Sequence, residues 1–248
     1  MTISPAPAEP RSPEPRSLVE LLRSRSAERP TAEIFTFLRD GEADEVRLTY
    51  AELDAGARAV AAALQEAGAA GERALLLYPP GLEYVTAFFG CLYAGTVAVP
   101  VYPPRTGGRG GAAGAARLAA ILASAEARFA LAPRALLAAA AGALPEAGLR
   151  RLASDEIPAD AAAGWRDPGA GAGTLAFLQY TSGSTAEPKG VMLSHGNLLH
   201  NLELIRRGFG VGPADRAVIW LPPYHDMGLI GGLLEPVYAD FPVVLFSP

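Results

Sequence analysis

Between Ile34 and Ala132, short apolar runs rich in β-branched residues alternate with alanine-rich helical stretches, and that alternation leaves few folds open. It calls for a mostly parallel sheet covered by helices, with binding loops at the C-terminal ends of the strands. Ser17-Leu18-Val19-Glu20 has the form of a capping box opening a helix that stops before Pro30. Ile34 to Leu38 and Val46 to Tyr50 read as a hairpin around the polar turn Asp40 to Glu45. Thr49-Tyr50-Ala51-Glu52 is a second capping box, and its helix runs to Gly68. A strand Arg73 to Tyr78, a helix Leu82 to Ala94, a Gly95 turn and a strand Thr96 to Val99 follow. Next come a helix Ala115 to Ala125, a strand Arg128 to Ala132 and a short helix within Ala135 to Ala143. Gly107 to Gly114 and Pro158 to Gly173 are rich in Gly, Ala or Pro and read as mobile surface loops. Val243 to Phe246 reads as a strand leaving an unprotected apolar edge.

Composition narrows the function classes. A chain of 248 residues that is half hydrophobic can bury a substantial core. Its net charge of -5 and scattered arginines disfavour a nucleic-acid surface, which relies on clustered Lys and Arg. Tyr84 to Tyr102 carries no charge, but Gly95 and Pro100 interrupt it, so no membrane span is expected. Met1 to Arg16, rich in Pro, Ser and Glu, lacks the apolar core of a signal peptide and reads as a disordered leader. The single Cys91 sits in an apolar run as a buried free thiol, consistent with a reducing cytoplasm. No Cys/His/Asp grouping has metal-ligand spacing.

The run Gln179 to Met192 concentrates polar chemistry in one loop. Thr181, Ser182, Ser184 and Thr185 supply hydroxyls, Gly183 and Gly190 let backbone N–H groups approach an anion, and Lys189 adds a cation. Each hydrogen bond to a charged oxygen contributes about 1.5–3 kcal/mol, so several converging donors can hold a triphosphate. A solvated Ser/Thr/Gly turn would have the same composition. It is not a Walker loop, because Pro188 precedes the lysine, Gly190 follows it and Val191-Met192-Leu193 reads as extended. With Thr174 to Tyr180 reading as a strand, the loop joins two strands.

A second constellation is Tyr224-His225-Asp226-Met227-Gly228, after a strand Ala217 to Leu221 and before an apolar glycine-rich helix. A polar reaction centre could meet a hydrophobic tunnel there, although His225 and Asp226 could equally serve a helix start. Ser194 caps a further helix with an apolar face through Leu198, Leu199, Leu202 and Ile205, so His195 and His200 read as solvated or structural.

The segments Thr181-Ser182-Gly183-Ser184-Thr185, Pro188-Lys189-Gly190-Val191 and Ser194-His195-Gly196-Asn197 resemble the phosphate-loop signature of the adenylate-forming superfamily. Within it, Leu221 to Gly232 and Ala98 to Pro104 are similar to segments of the fatty acyl-AMP ligases. The likeness runs from Leu18 to Pro248, with Ala186 standing where the superfamily usually has Gly. It implies an α/β fold of mostly parallel sheets, as an incomplete N-terminal portion of the adenylate-forming fold: a leader at 1–16 and a truncated AMP-binding domain at 17–248. The implied reaction is attack of a fatty-acid carboxylate on the α-phosphate of ATP, with Mg²⁺, giving acyl-AMP and pyrophosphate. The acyl group then passes to the phosphopantetheine thiol of an acyl carrier protein. By the same resemblance, Thr181, Ser182, Gly183, Ser184, Thr185, Lys189 and Gly190 hold the β- and γ-phosphates. His225 serves the acyl carboxylate and α-phosphate, with Asp226, Met227 and Gly228 on the acyl side. The adenine contacts, the metal-holding glutamate and the lysine-bearing C-terminal domain are expected beyond Pro248, so residues 1–248 alone should turn over negligibly. Fatty acyl-CoA ligase is the alternative chemistry, and a non-catalytic nucleotide-binding module the alternative class.

Overall fold

Ser17 opens the architecture: its Oγ accepts the Glu20 N–H at 3.1 Å and starts α1 (Leu18–Glu28). The expected box is only half made, because the Glu20 carboxylate turns outward to the Arg16 N–H and guanidinium. The computed structural model describes residues 14–103, 109–180 and 188–247, with no side chains described at 109–112. Thr49 and Glu52 make the full reciprocal box that opens α2 (Tyr50–Glu66).

Among the described residues the strands form two sheets. In the first, β1 (Glu33–Leu38) pairs antiparallel with β2 (Glu45–Thr49), completing the expected hairpin. On its other side β1 pairs parallel with β10 (Val243–Phe246), which pairs parallel with β9 (Ala217–Ile219). The expectation of an apolar edge at Val243 to Phe246 is therefore corrected: Phe35 and Ala217 flank Val243 from either side, and β10 is an inner strand.

The second sheet comprises β3 (Arg73–Leu76), β4 (Val97–Pro100), β5 (Phe129–Ala132), β6 (Arg150–Ala153), β7 (Leu175–Tyr180) and β8 (Gly190–Ser194). Its spatial order is β6-β5-β3-β4-β7-β8, all parallel except the antiparallel β8. Alternation along these strands fills two cores. Ala74, Leu76, Ala98, Phe129 and Leu131 face a large core built with α1, α2, α3 (Leu82–Ala94) and the first sheet. Leu75, Val97, Val99, Ala130 and Ala132 face a second, closed by Leu118 and Ile121 of α4 (Arg109–Ala125) and Leu137 of α5 (Arg134–Ala139). Cys91 lies wholly inside the large core, where burial pushes its thiol up to about 12. No helix among the described residues is long and apolar enough to cross a membrane.

Two loop expectations are corrected. From Arg109 onward the Gly-rich stretch 107–114 is the first part of α4; Gly107 and Gly108 lie outside the described residues. Pro158 to Gly173 is tied to the body, opening with a 3-10 helix, Ala159–Gly164. Beyond it the Trp165 indole donates to the Tyr93 carbonyl at 2.8 Å, and the Arg58 guanidinium lies 4.4 Å from its ring centroid.

α6 (His195–Phe209) begins at a capping box between Ser194 and Asn197. His195 is structural: buried, its Nδ1 accepts the N–H of Leu18 at 3.2 Å, satisfying an otherwise orphaned donor at the start of α1. Burial lowers its pKa from 6.5 to about 4. Because the folded value is the lower one, this contribution is fully present above pH 6.5 and is lost as pH falls toward 4. The expected loss is about 3 kcal/mol. Urea titrations at stepped pH should show that slope in the wild type and its absence in His195→Gln.

Candidate functional site

The C-terminal end of β7 starts the site. Thr181, Ser182, Gly183, Ser184 and Thr185, with Ala186, lie outside the described residues. Their flanks are described: β7 and β8 pair antiparallel with Tyr180 opposite Gly190, so the loop does join two strands. The Tyr180 ring lies across Gly190 so closely that a Cβ there would stand 2.9 Å from Cζ. Tyr180 also donates its hydroxyl to Ser124 Oγ of α4 at 3.0 Å, and Ser124 in turn reaches the Pro188 carbonyl at 3.5 Å. Both ends of the loop are thus clasped to one helix. Lys189 stands exposed at the entry to β8, with no ion pair among the described residues.

The second constellation sits against β7. Tyr224 is buried, its ring edge-on to Tyr84 at 5.9 Å and 4.6 Å from the ring of Tyr102. The Tyr84 hydroxyl donates to the Pro223 carbonyl and Gln179 Nε2 donates to the Tyr224 carbonyl, each at 2.9 Å. Tyr102, which follows β4, and Gln179 of β7 therefore meet at Tyr224 from stretches far apart in the chain. Sequence reasoning did not single out Gln179, Ser124 or Tyr84. A polar Gln inside the apolar strand Leu175–Tyr180 was the available signal.

His225 and Asp226 follow, with side chains 57% and 63% exposed and His225 Nδ1 at 2.5 Å from Asp226 Oδ1. If Nδ1 carries the proton of that bond, Nε2 remains for a ligand. Asp226 Oδ1 also accepts the Met227 N–H at 2.7 Å, capping the helix that follows. That helix, Met227–Leu234, is a π-helix, with the Glu235 N–H reaching the Ile230 carbonyl five residues back. It continues into α7 (Glu235–Ala239). Met227 is exposed, whereas Gly228 is buried against the Pro222 carbonyl oxygen, which a Cβ would approach to 2.1 Å.

Beneath the π-helix lies an apolar cavity of about 20 Å³, lined by Phe37, Val85, Leu221, Gly228, Leu233 and Phe246 among others. It is too small for an acyl chain as it stands. An open groove of about 280 Å³ adjoins it, sharing Phe37, Pro80 and Gly81 and carrying Arg39 and Glu83. A wider groove of about 590 Å³ lies beside β6, strands away from β7, against Ala62, Glu66 and Pro158. No group of three or more His, Cys, Asp or Glu among the described residues is placed to hold a metal.

Glu235 is the buried titratable group nearest the π-helix: 2% exposed, with neither carboxylate oxygen meeting a partner among the described residues. Burial raises its pKa from 4.5 to about 7, with Arg206 opposing and Glu203 reinforcing the shift. The folded state binds this proton more tightly, so the contribution is full below pH 4.5 and is lost as pH rises through 7. Glu235→Gln should remove that loss. Relative to wild type, the variant should gain about 2 kcal/mol between pH 5 and pH 8 in urea titrations.

The sequence profile of the AMP-binding enzyme family matches residues 22–248. The medium-chain-fatty-acid–[acyl-carrier-protein] ligase JamA of Moorena producens (strain JHB) is 40% identical over 247 residues, covering 95% of this chain and 40% of JamA. The long-chain-fatty-acid–AMP ligase FadD32 of Mycolicibacterium smegmatis is 39% identical over 221 residues, covering 84% of this chain and 32% of FadD32. Among solved structures, the fatty acyl-adenylate ligase from L. pneumophila, in complex with acyl adenylate and pyrophosphate, superposes with a TM-score of 0.85 at 37% identity. That superposition covers 95% of this chain and 40% of the ligase. The chain thus spans about 40% of the length of JamA and of the L. pneumophila ligase.

Proposed function

The chain belongs to the AMP-binding enzyme family, and from that premise we propose that, carried in a protein of its relatives' length, it activates a fatty acid with ATP. A carboxylate oxygen of the acid attacks the α-phosphorus, the bond to the bridging oxygen of pyrophosphate breaks, and acyl-AMP and pyrophosphate form. The observation that carries this reading is the meeting at Tyr224 of the phosphate-loop strand and the His225 segment. A carboxylate and a triphosphate repel each other, so the work is to neutralise charge and align the attack. Thr181, Ser182, Gly183, Ser184, Thr185, Lys189 and Gly190 are proposed to hold the β- and γ-phosphates, and His225 to orient the carboxylate at the α-phosphate. Asp226 steadies His225, while Met227 and Gly228 begin the acyl side. Mg²⁺, where bound with the triphosphate, would supply further neutralisation of its charge; no cluster of three or more His, Cys, Asp or Glu among the described residues would hold it. Residues 17–248 are read as the N-terminal part of the AMP-binding domain.

The acyl acceptor is proposed to be the phosphopantetheine thiol of an acyl carrier protein, supported by the likeness to JamA. Incubation with ATP, a series of fatty acids and either a holo carrier protein or free coenzyme A tests both steps by mass spectrometry. Acyl-AMP and a carrier thioester are expected. Efficient transfer to coenzyme A with none to a carrier would overturn the acceptor, and no acyl-AMP from any acid would overturn the activation.

A further inference from the structure

Gln179 stands in an otherwise apolar, inward-facing strand and is only 7% exposed. Burying an amide is costly unless its hydrogen bonds are met, and here they are met on one side only. Nε2 donates to the Tyr224 carbonyl oxygen at 2.9 Å, while Oε1 has no partner among the described residues. An aliphatic side chain would fill the same space without that cost, so packing alone does not account for the residue.

The bond acts on a particular peptide. The Tyr224 carbonyl and the His225 N–H belong to one rigid plane. Gln179 holds the carbonyl end, and the Pro222 carbonyl accepts the His225 N–H at 3.1 Å. With both ends held, the orientation of the plane and the starting point of the His225 side chain are fixed. On the strand side, Gln179 is one residue from Tyr180, whose hydroxyl bonds to Ser124 at the loop's clasp. One amide therefore couples two segments that lie 45 residues apart in the chain.

We propose that Gln179 is a positioning residue for the adenylation step, setting where the His225 side chain starts relative to the end of β7. It rests on the activation reading above and adds a residue that does not itself contact the substrate. Gln179→Met, similar in volume but without a donor, should lower kcat about 10- to 100-fold, because small misplacements of reacting groups are costly. The KM for ATP should stay within about two-fold. In Gln179→Glu the ionised carboxylate faces a carbonyl and cannot donate, but the protonated acid regains an O–H donor. Its activity relative to wild type should therefore recover as pH falls.

A double-mutant cycle decides the route. If Gln179 acts through His225, Gln179→Met should cost less than about two-fold in a His225→Ala background. The same fold-loss in both backgrounds, a Gln179→Glu pH profile parallel to wild type, or an unchanged kcat in Gln179→Met would overturn the proposal while leaving fatty-acid activation standing. A wild-type protein with no acid-dependent adenylation would overturn both.

Discussion

Replacing Lys189 with Ala should slow acyl-adenylate formation about 10²–10³-fold, the cost of removing one preorganised group that stabilises developing charge. The structure separates that effect from folding. Lys189 is exposed and makes no ion pair among the described residues, so its truncation should change stability by no more than about 0.5 kcal/mol. Single-turnover formation of acyl-AMP, measured beside a urea titration, therefore gives a clean reading. A rate within a few-fold of wild type would remove Lys189 from the site, whatever the titration shows.

The second large effect is structural. Gly228→Ala should destabilise the chain by about 3 kcal/mol or more, at the upper end of overpacking costs. The added Cβ would meet the Pro222 carbonyl carbon at 2.7 Å and its oxygen at 2.1 Å, and backbone cannot swing aside as a long side chain can. Gly231 of the same π-helix supplies the contrast. Its Cβ would come no nearer than 3.6 Å, to the Met227 sulfur, so Gly231→Ala should be neutral or slightly stabilising. Urea titrations of the pair test whether the approach at Pro222, rather than helix propensity, governs this segment. Equal losses in both variants would contradict that account.

What could be read from the sequence was what short stretches decide for themselves. Thr49 with Glu52, Ser194 with Asn197, and Gly95 at φ 69° each set a helix boundary through bonds or conformations within a few residues. The hairpin around Asp40 is of the same kind, its carboxylate collecting the N–H groups of Glu42, Ala43 and Asp44. What escaped depends on distant partners. The inner position of β10 follows from pairing with β1, across more than 200 residues in register Val243 with Phe35. The stretch after Pro158 is held because the Trp165 indole reaches the Tyr93 carbonyl, a bond no local pattern encodes.

The candidate site divides along the same line. Lys189, His225 and Asp226 drew attention by residue type, and the roles expected of them came from the likeness to the superfamily's segments. The groups that tie β7 to Tyr224 and to α4, and α3 to Pro223, did not, since Gln179, Tyr84 and Ser124 act through single long-range hydrogen bonds. For Met227 and Gly228 the structure adds a packing constraint that the pattern did not carry: Met227 is exposed, and Gly228 is required by the approach of Pro222.

Exchange of labelled pyrophosphate into ATP, in a protein of the relatives' length, tests most directly whether the strands meeting at Tyr224 form an acid-activating centre. Exchange that appears only when a fatty acid is supplied, and falls about 10²–10³-fold in Lys189→Ala, is the expected result. ATP binding with no exchange in the presence of any acid would contradict it.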